Sequence, residues 1–196
     1  MSAWRVVPLP THGPLFAGAI DVYSAAFALP PYSDPDRGEE VRDRIVEVHQ
    51  YREGFRAFCA VNGAGDVVGM TYGYRGAPGQ WWHDAVAAAL EPDVAERWLR
   101  DSYELVELAV HPAWQNQGIG TALIAALLSG VPQATCVLST RSDSRAHRLY
   151  RRLGFQVLTE MRFTPGGAPF YIMGRPLPFE GTPVAPVGGE GRCGSA

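Results

Sequence analysis

The chain has 196 residues, of which 46% are hydrophobic and 19% charged, and its formal net charge is -3 with a pI near 5.9. That length suits one domain with a single core, and that charge provides no basic field for nucleic acid. No run approaches the ~18 apolar residues of a membrane span, and the amino terminus MSAWRVVPLP lacks the charged start and long apolar core of a secretion signal, so a cytoplasmic protein without membrane contact is expected.

Residues 3–9 read as a short strand, and residues 14–29 as an amphipathic helix with Leu15, Phe16, Ala19, Ile20, Tyr23 and Phe27 at helical spacing. Pro30-Pro31-Tyr32 ends it, and Asp34-Pro35-Asp36 opens a second helix running through Val41, Ile45 and Val48 to about Arg52. Residues 55–61 and 67–74 are rich in aromatic and β-branched side chains, and the turn Asn62-Gly63-Ala64-Gly65-Asp66 joins them as an antiparallel hairpin. Residues 75–102 carry Trp81-Trp82-His83, an Ala-rich helical segment and a second one over 91–99.

Residues 105–128, LVELAVHPAWQNQGIGTALIAALL, begin as an apolar strand, pass through a glycine-spaced turn and continue with helical periodicity. At such a turn glycines let backbone N–H groups approach a ligand, and the new helix offers unpaired donors and a positive dipole end. A pyrophosphate is the anion expected there. Beyond lie a strand (134–140), a helix (143–153) and a hairpin of two strands (155–163 and 170–175). After Leu177 the composition of Pro, Gly and Glu predicts a mobile tail over 177–196.

Two better-known phosphate loops fail on specific residues. Gly120 is not followed by Lys-Ser or Lys-Thr, and Gly118-Ile119-Gly120-Thr121-Ala122-Leu123 lacks the third glycine of the dinucleotide fingerprint. Instead, Val110-His111-Pro112-Ala113-Trp114-Gln115-Asn116-Gln117-Gly118-Ile119-Gly120 resembles, without a gap, the signature V-x-P-x-x-[QR]-x-x-G-x-[GA] of the GNAT superfamily of acyl-CoA-dependent N-acyltransferases. A second stretch, from Asp143 through Ala146, Leu149 and Tyr150 to Gly154-Phe155, resembles the GNAT signature N-x-x-A-x-x-L-Y-x-x-x-G-F, with Asp143 replacing the asparagine.

The resemblance implies an α/β (α+β) fold: one domain over residues 1–176, with 75–102 as an insertion, built on a mixed sheet of about seven strands. This sheet would splay between its fourth and fifth strands to admit acetyl-CoA, without a metal. It also implies an N-acetyltransferase acting on an amine acceptor by direct attack in a ternary complex. The grip on the pyrophosphate would be Gln115, Asn116, Gln117, Gly118, Ile119, Gly120 and Thr121, and the rail for the pantetheine amides Leu108, Ala109 and Val110. Asp143 and Ala146 would stand near the cofactor, although an aspartate offers no amide N–H to a carbonyl. Tyr150 matches the family tyrosine that protonates the departing thiolate.

For the base, the resemblance favours Glu104, six residues before the motif valine, with Glu107 as the second candidate. Strict alternation would set Glu104, Val106, Leu108 and Val110 on one face of the strand, and Leu105, Glu107 and Ala109 on the other. Tyr32, Trp81 and Trp82 suit an aromatic wall for an acceptor amine by cation–π contact, and equally a lid or a homodimer contact. The acceptor stays open among aminoglycosides, polyamines, amino acids, peptide termini and protein lysines. A CoA sensor without turnover and an interaction domain are the rival readings. The five histidines show no metal-ligand spacing, and Cys59, Cys136 and Cys193 have no CxxC spacing, so the first two read as core fillers.

Overall fold

A computed structural model describes residues 4–179. Seven strands, β1 (Trp4–Pro8), β2 (Arg56–Asn62), β3 (Val67–Arg75), β4 (Ser102–Val110), β5 (Thr135–Arg141), β6 (Gln156–Met161) and β7 (Phe170–Pro176), form one mixed sheet in the order β1-β2-β3-β4-β5-β7-β6. Every neighbouring pair is antiparallel except β4 with β5. The expected α/β architecture is therefore present.

On one face lie α1 (Gly13–Phe27) and α2 (Arg37–Glu47). Phe16, Ala19, Tyr23 and Phe27 of α1 are buried against Met70, Tyr72 and Tyr74 of β3, each large side chain contributing about 1.5–3 kcal/mol. The segment between β3 and β4 folds as two short helices, α3 (Trp81–Ala89) and α4 (Pro92–Leu99), whose Val86, Trp98 and Leu99 pack on Val137 of β5 and Ile172 of β7. The opposite face carries α5 (Ile119–Leu128) and α6 (Ala146–Arg152) over Leu105, Leu138 and Met173. Cys59 and Cys136 are buried free thiols, as read from the sequence, whereas Cys193 lies outside the described residues.

The parting of β4 from β5 positions the site. The two strands pair only where Ser102, Tyr103 and Glu104 meet Thr135, Cys136 and Val137, so from Leu105 onward the edge of β4 facing β5 has no ladder partner. On its other edge β4 stays paired with β3 as far as Val110, with a bulge: Gly73 opposes Leu105, Tyr72 opposes Glu107, and Val106 is the extra residue. Gly73 is required there, because a Cβ would collide with the Glu104 carbonyl and come 2.7 Å from the Tyr103 ring.

The bulge overturns the expected alternation. Directly opposed residues of an antiparallel pair share a face, so Glu104 opposite Tyr74 and Glu107 opposite Tyr72 both face α1 and α2, together with Val106 and Ala109. Leu105, Leu108 and Val110 face α5. One extra residue thus brings both carboxylates to the same side of the sheet.

Three boundaries also differ from the sequence reading. The second helix stops at Glu47 and gives way to a 3-10 turn at His49–Tyr51. The helix expected over 143–153 begins at Ala146, since Ser144 Oγ accepts the Ala146 N–H at 3.1 Å, while the Asp143 carboxylate is held by Arg141 through Nε and Nη2 at 2.9 and 2.6 Å. Of the tail expected over 177–196, Leu177 and Phe179 pack against the core, and residues 180–196 lie outside the described residues.

Candidate active site

The loop between β4 and α5 is built by its backbone. Pro112–Trp114 makes a 3-10 turn, Gln115 folds back so that its Nε2 donates to the Val110 carbonyl at 3.2 Å, and Asn116 and Gly118 take left-handed φ angles of +62° and +81°. A side chain at Gly118 would meet nothing, so the glycine answers to φ and not to space. The first helical bond of α5 runs from the Ala122 N–H to the Gly118 carbonyl. The preceding N–H groups of Ile119, Gly120 and Thr121 therefore have no partner within the helix, and Gln115 through Gly118 are exposed beside them. That is a cradle for an anion.

Beside this loop the gap between β4 and β5 encloses a cavity of about 90 Å³. Leu105, Val106, Glu107 and Leu108 of β4 and Ser139, Thr140 and Arg141 of β5 form its sides. Ala146 and Tyr150 of α6 reach it from one face; Phe27, Tyr32, Arg37 and Phe170 close it from the other.

Two titratable groups converge on the cavity. Burial pushes the Glu107 carboxyl above its ordinary range, against the pull of Arg37 and Arg44, and Arg44 Nη2 lies 3.5 Å from its Oε1. Burial likewise raises the Tyr150 phenol, with the charge on Glu107 adding to it, so the hydroxyl is a protonated donor at neutral pH. Glu104 does not line the cavity. It sits at the closed end of the gap, only 3% exposed, with Oε2 lacking any hydrogen-bond partner, and burial lifts its pKa to about 8 although Arg52 opposes. At neutral pH it is mostly the neutral acid.

The remaining residues singled out from sequence divide into two groups. Leu108, Ala146 and Tyr32 line the cavity, and Ala109 and Val110 continue along the open edge of β4. Asp143 lies outside, paired to Arg141. Trp82 touches the site indirectly, its Nε1–H donating to Ser139 Oγ at 3.0 Å. Trp81, 66% exposed, packs on Phe163 at 5.4 Å between ring centroids, and Phe163 on Phe170 at 5.2 Å. Sequence reasoning missed Arg37, Ser139, Arg141 and Phe170, which belong to no local motif and meet only through the topology. Among the described residues, no group of three or more His, Cys, Asp or Glu could hold a metal ion, and no helix is long and apolar enough to cross a membrane.

Comparison with known proteins gives matches of different reach. A family profile described as an acetyltransferase (GNAT) domain matches residues 55–157. A GCN5-like protein acetyltransferase of Mycobacterium tuberculosis, Rv2170, is 43% identical over 122 residues, which make up 57% of this chain and 59% of that protein. The match thus spans little more than half of its length. Among solved structures, a histone acetyltransferase HPA2 and related acetyltransferase from Corynebacterium glutamicum shares the fold with a TM-score of 0.60 at 22% identity, over 90% of this chain and 97% of that one. An aminoglycoside 6'-N-acetyltransferase complexed with coenzyme A shares it with a TM-score of 0.60 at 15% identity, over 89% and 98%.

Proposed function

The chain belongs to the GNAT acetyltransferase family, and on that footing we propose that it transfers an acetyl group from acetyl-CoA to a primary amine by direct attack while both are bound. The observation that carries this reading is the convergence of Glu107 and Tyr150 on the cavity where β4 and β5 part, next to the glycine-turned loop. The residues present suit the cofactor: free N–H groups from Gly118 to Thr121 for a pyrophosphate, and the unpaired edge of β4 from Leu105 to Val110 for the amides of a pantetheine arm. A fold neighbour is a complex with coenzyme A.

Acetyl-CoA, when bound, supplies the acetyl thioester. Glu107 takes a proton from the acceptor ammonium so that the neutral amine can form the new N–C bond, and Arg44 steadies the carboxylate. Tyr150 Oη delivers a proton to the sulfur as the C–S bond breaks, leaving a neutral thiol, and the second proton shed by the acylated nitrogen restores the phenol. Phe27, Tyr32 and Phe170 keep bulk water from the reacting groups. Glu104, buried as the neutral acid, stands behind Glu107 and does not meet the acceptor. The helix pair of residues 75–102 is an addition to the common core that fixes Ser139 through Trp82. A protein lysine as acceptor is the second reading, favoured by the description of the M. tuberculosis relative as a protein acetyltransferase.

The test is calorimetric titration with acetyl-CoA and CoA, followed by thiol release against a panel of amines. Binding with amine-dependent release supports the reading. Binding without release moves weight to a sensor, and absence of binding sinks the assignment of residues 115–121.

A further inference from the structure

The charges around the cavity do not cancel. Glu107 is answered by Arg44 at 3.5 Å, and Arg141 by Asp143 through two hydrogen bonds. Arg37, at the first position of α2, lines the same cavity, and its Nε donates to the Tyr23 hydroxyl at 3.0 Å. Tyr23 brings no charge to that bond, because burial first and the charge on Glu107 second hold its phenol protonated. Among the described residues Arg37 forms no ion pair with a carboxylate, and its terminal Nη1 and Nη2 groups have no hydrogen-bond partner. Arg37 thus shares the one carboxylate of Glu107 with Arg44, and its only hydrogen bond among the described residues goes to a neutral hydroxyl, leaving spare donors. Its paired N–H fork matches a carboxylate.

The wall around Arg37 is aromatic. Its guanidinium lies 4.7 Å from the Phe27 ring centroid, Tyr32 packs on Phe27 at 4.4 Å, and Phe170, which lines the same cavity, continues through Phe163 to the exposed Trp81. An amine docked between Glu107 and Tyr150 would therefore have both a cation and apolar ring surface within reach. A polycation would meet two guanidinium groups, Arg37 and Arg44, set against the single carboxylate of Glu107.

We propose that the acceptor is an α-amino-acid-type amine, with a carboxylate beside the amino group bound by Arg37 and a large apolar or aromatic side chain laid along the ring wall. This rests on the acetyl-transfer reading for the placement of the amine. Glu107 and Tyr150 move protons as before, Glu107 taking the first from the ammonium, Tyr150 giving one to the sulfur and regaining the second from the acylated nitrogen, and the carboxylate stays ionised throughout.

Binding separates this inference from the transfer itself. With the full chain saturated with CoA, calorimetry compares L-phenylalanine with phenethylamine, which differs only in lacking the carboxylate, and with spermidine and a lysine amide blocked at its α-nitrogen. Phenylalanine should bind about tenfold tighter than phenethylamine or more. Arg37→Gln should abolish that difference and Arg37→Lys should retain part of it, with thermal unfolding checking that each variant is folded. Equal or tighter binding of phenethylamine, spermidine or the lysine amide overturns the proposal. So does failure of all four to bind, or a preference that a folded Arg37→Gln protein keeps. A carboxylate preference without thiol release from acetyl-CoA would sink the transfer reading and leave this one standing; release as fast with phenethylamine as with phenylalanine would do the reverse.

Discussion

Glu107 of β4 and Tyr150 of α6 line one cavity, although Glu107 faces α1 and α2 on one side of the sheet and α6 packs on the other. The two can meet because β4 and β5 pair only at their first three residues. A base and an acid on either side of a gap have the geometry that acyl transfer to an amine requires.

Tyr150→Phe is the most direct test of that pairing. Among the described residues the hydroxyl makes no hydrogen bond, so its loss leaves no buried group stranded, and folding should be unaffected. Turnover should fall about 10²–10⁴-fold, with CoA affinity unchanged by titration. An unaltered rate constant would remove Tyr150 from the chemistry.

Glu107 predicts a pH dependence. Its base form is the ionised carboxylate, and burial moves the pKa above the ordinary carboxylate range. The acidic limb of kcat/KM should therefore lie at a higher pH than for a free glutamate (about 4.3), with activity rising as pH increases through it. Glu107→Gln should lower kcat/KM on the order of 10²-fold and erase that limb. A limb that persists in the variant belongs to another group.

Gly118→Ala should weaken CoA binding without a steric clash. The position has open space but a φ of +81°, which an L side chain adopts at a cost of about 1 kcal/mol. Relief of that strain reorients the N–H groups beside it, and affinity for CoA should drop roughly 5-fold or more. Gly130→Ala is the control, at φ +70° with equally open space but at the far end of α5. It should lose similar stability and keep CoA affinity; if both variants lose affinity alike, the loop has no special role.

Glu104 makes stability fall with rising pH. Its folded pKa of about 8 stands above the model-peptide value of 4.5, so between these values the folded state retains a proton that the unfolded chain has released. The favourable contribution is complete below 4.5 and is lost as pH rises through 8. Glu104→Gln cannot ionise, so by urea unfolding it should match the parent protein near pH 5 and exceed it at pH 9 by on the order of a few kcal/mol. Equal stability at both pH values would show that the carboxyl is not desolvated.

Features confined to a short stretch of chain were legible in the sequence. The turn at 115–120 announces itself because a left-handed φ at Gly118 calls for glycine, and Gln115 reaches only as far as the Val110 carbonyl five residues back. The hairpin at 62–66 is equally local, with the Asn62 side chain accepting the N–H groups of Ala64 and Asp66 at 2.9 Å each. Tyr150 and Gly154-Phe155 could be read in the same way, since they belong to one helix and the turn after it.

The sequence by itself determined the order of elements, the glycine-spaced turn and the tyrosine, because each follows from φ/ψ preference, periodicity or a motif of neighbouring residues. Only the tertiary structure decided which carboxylate meets the tyrosine. That choice depends on the bulge at Val106, which exists because β3 offers Gly73 opposite Leu105, more than thirty residues earlier in the chain. It also decided that Arg37, Arg141 and Phe170 line one cavity. No local pattern marks them, and they meet only because β4 parts from β5 and the elements packed around the opening must cover it.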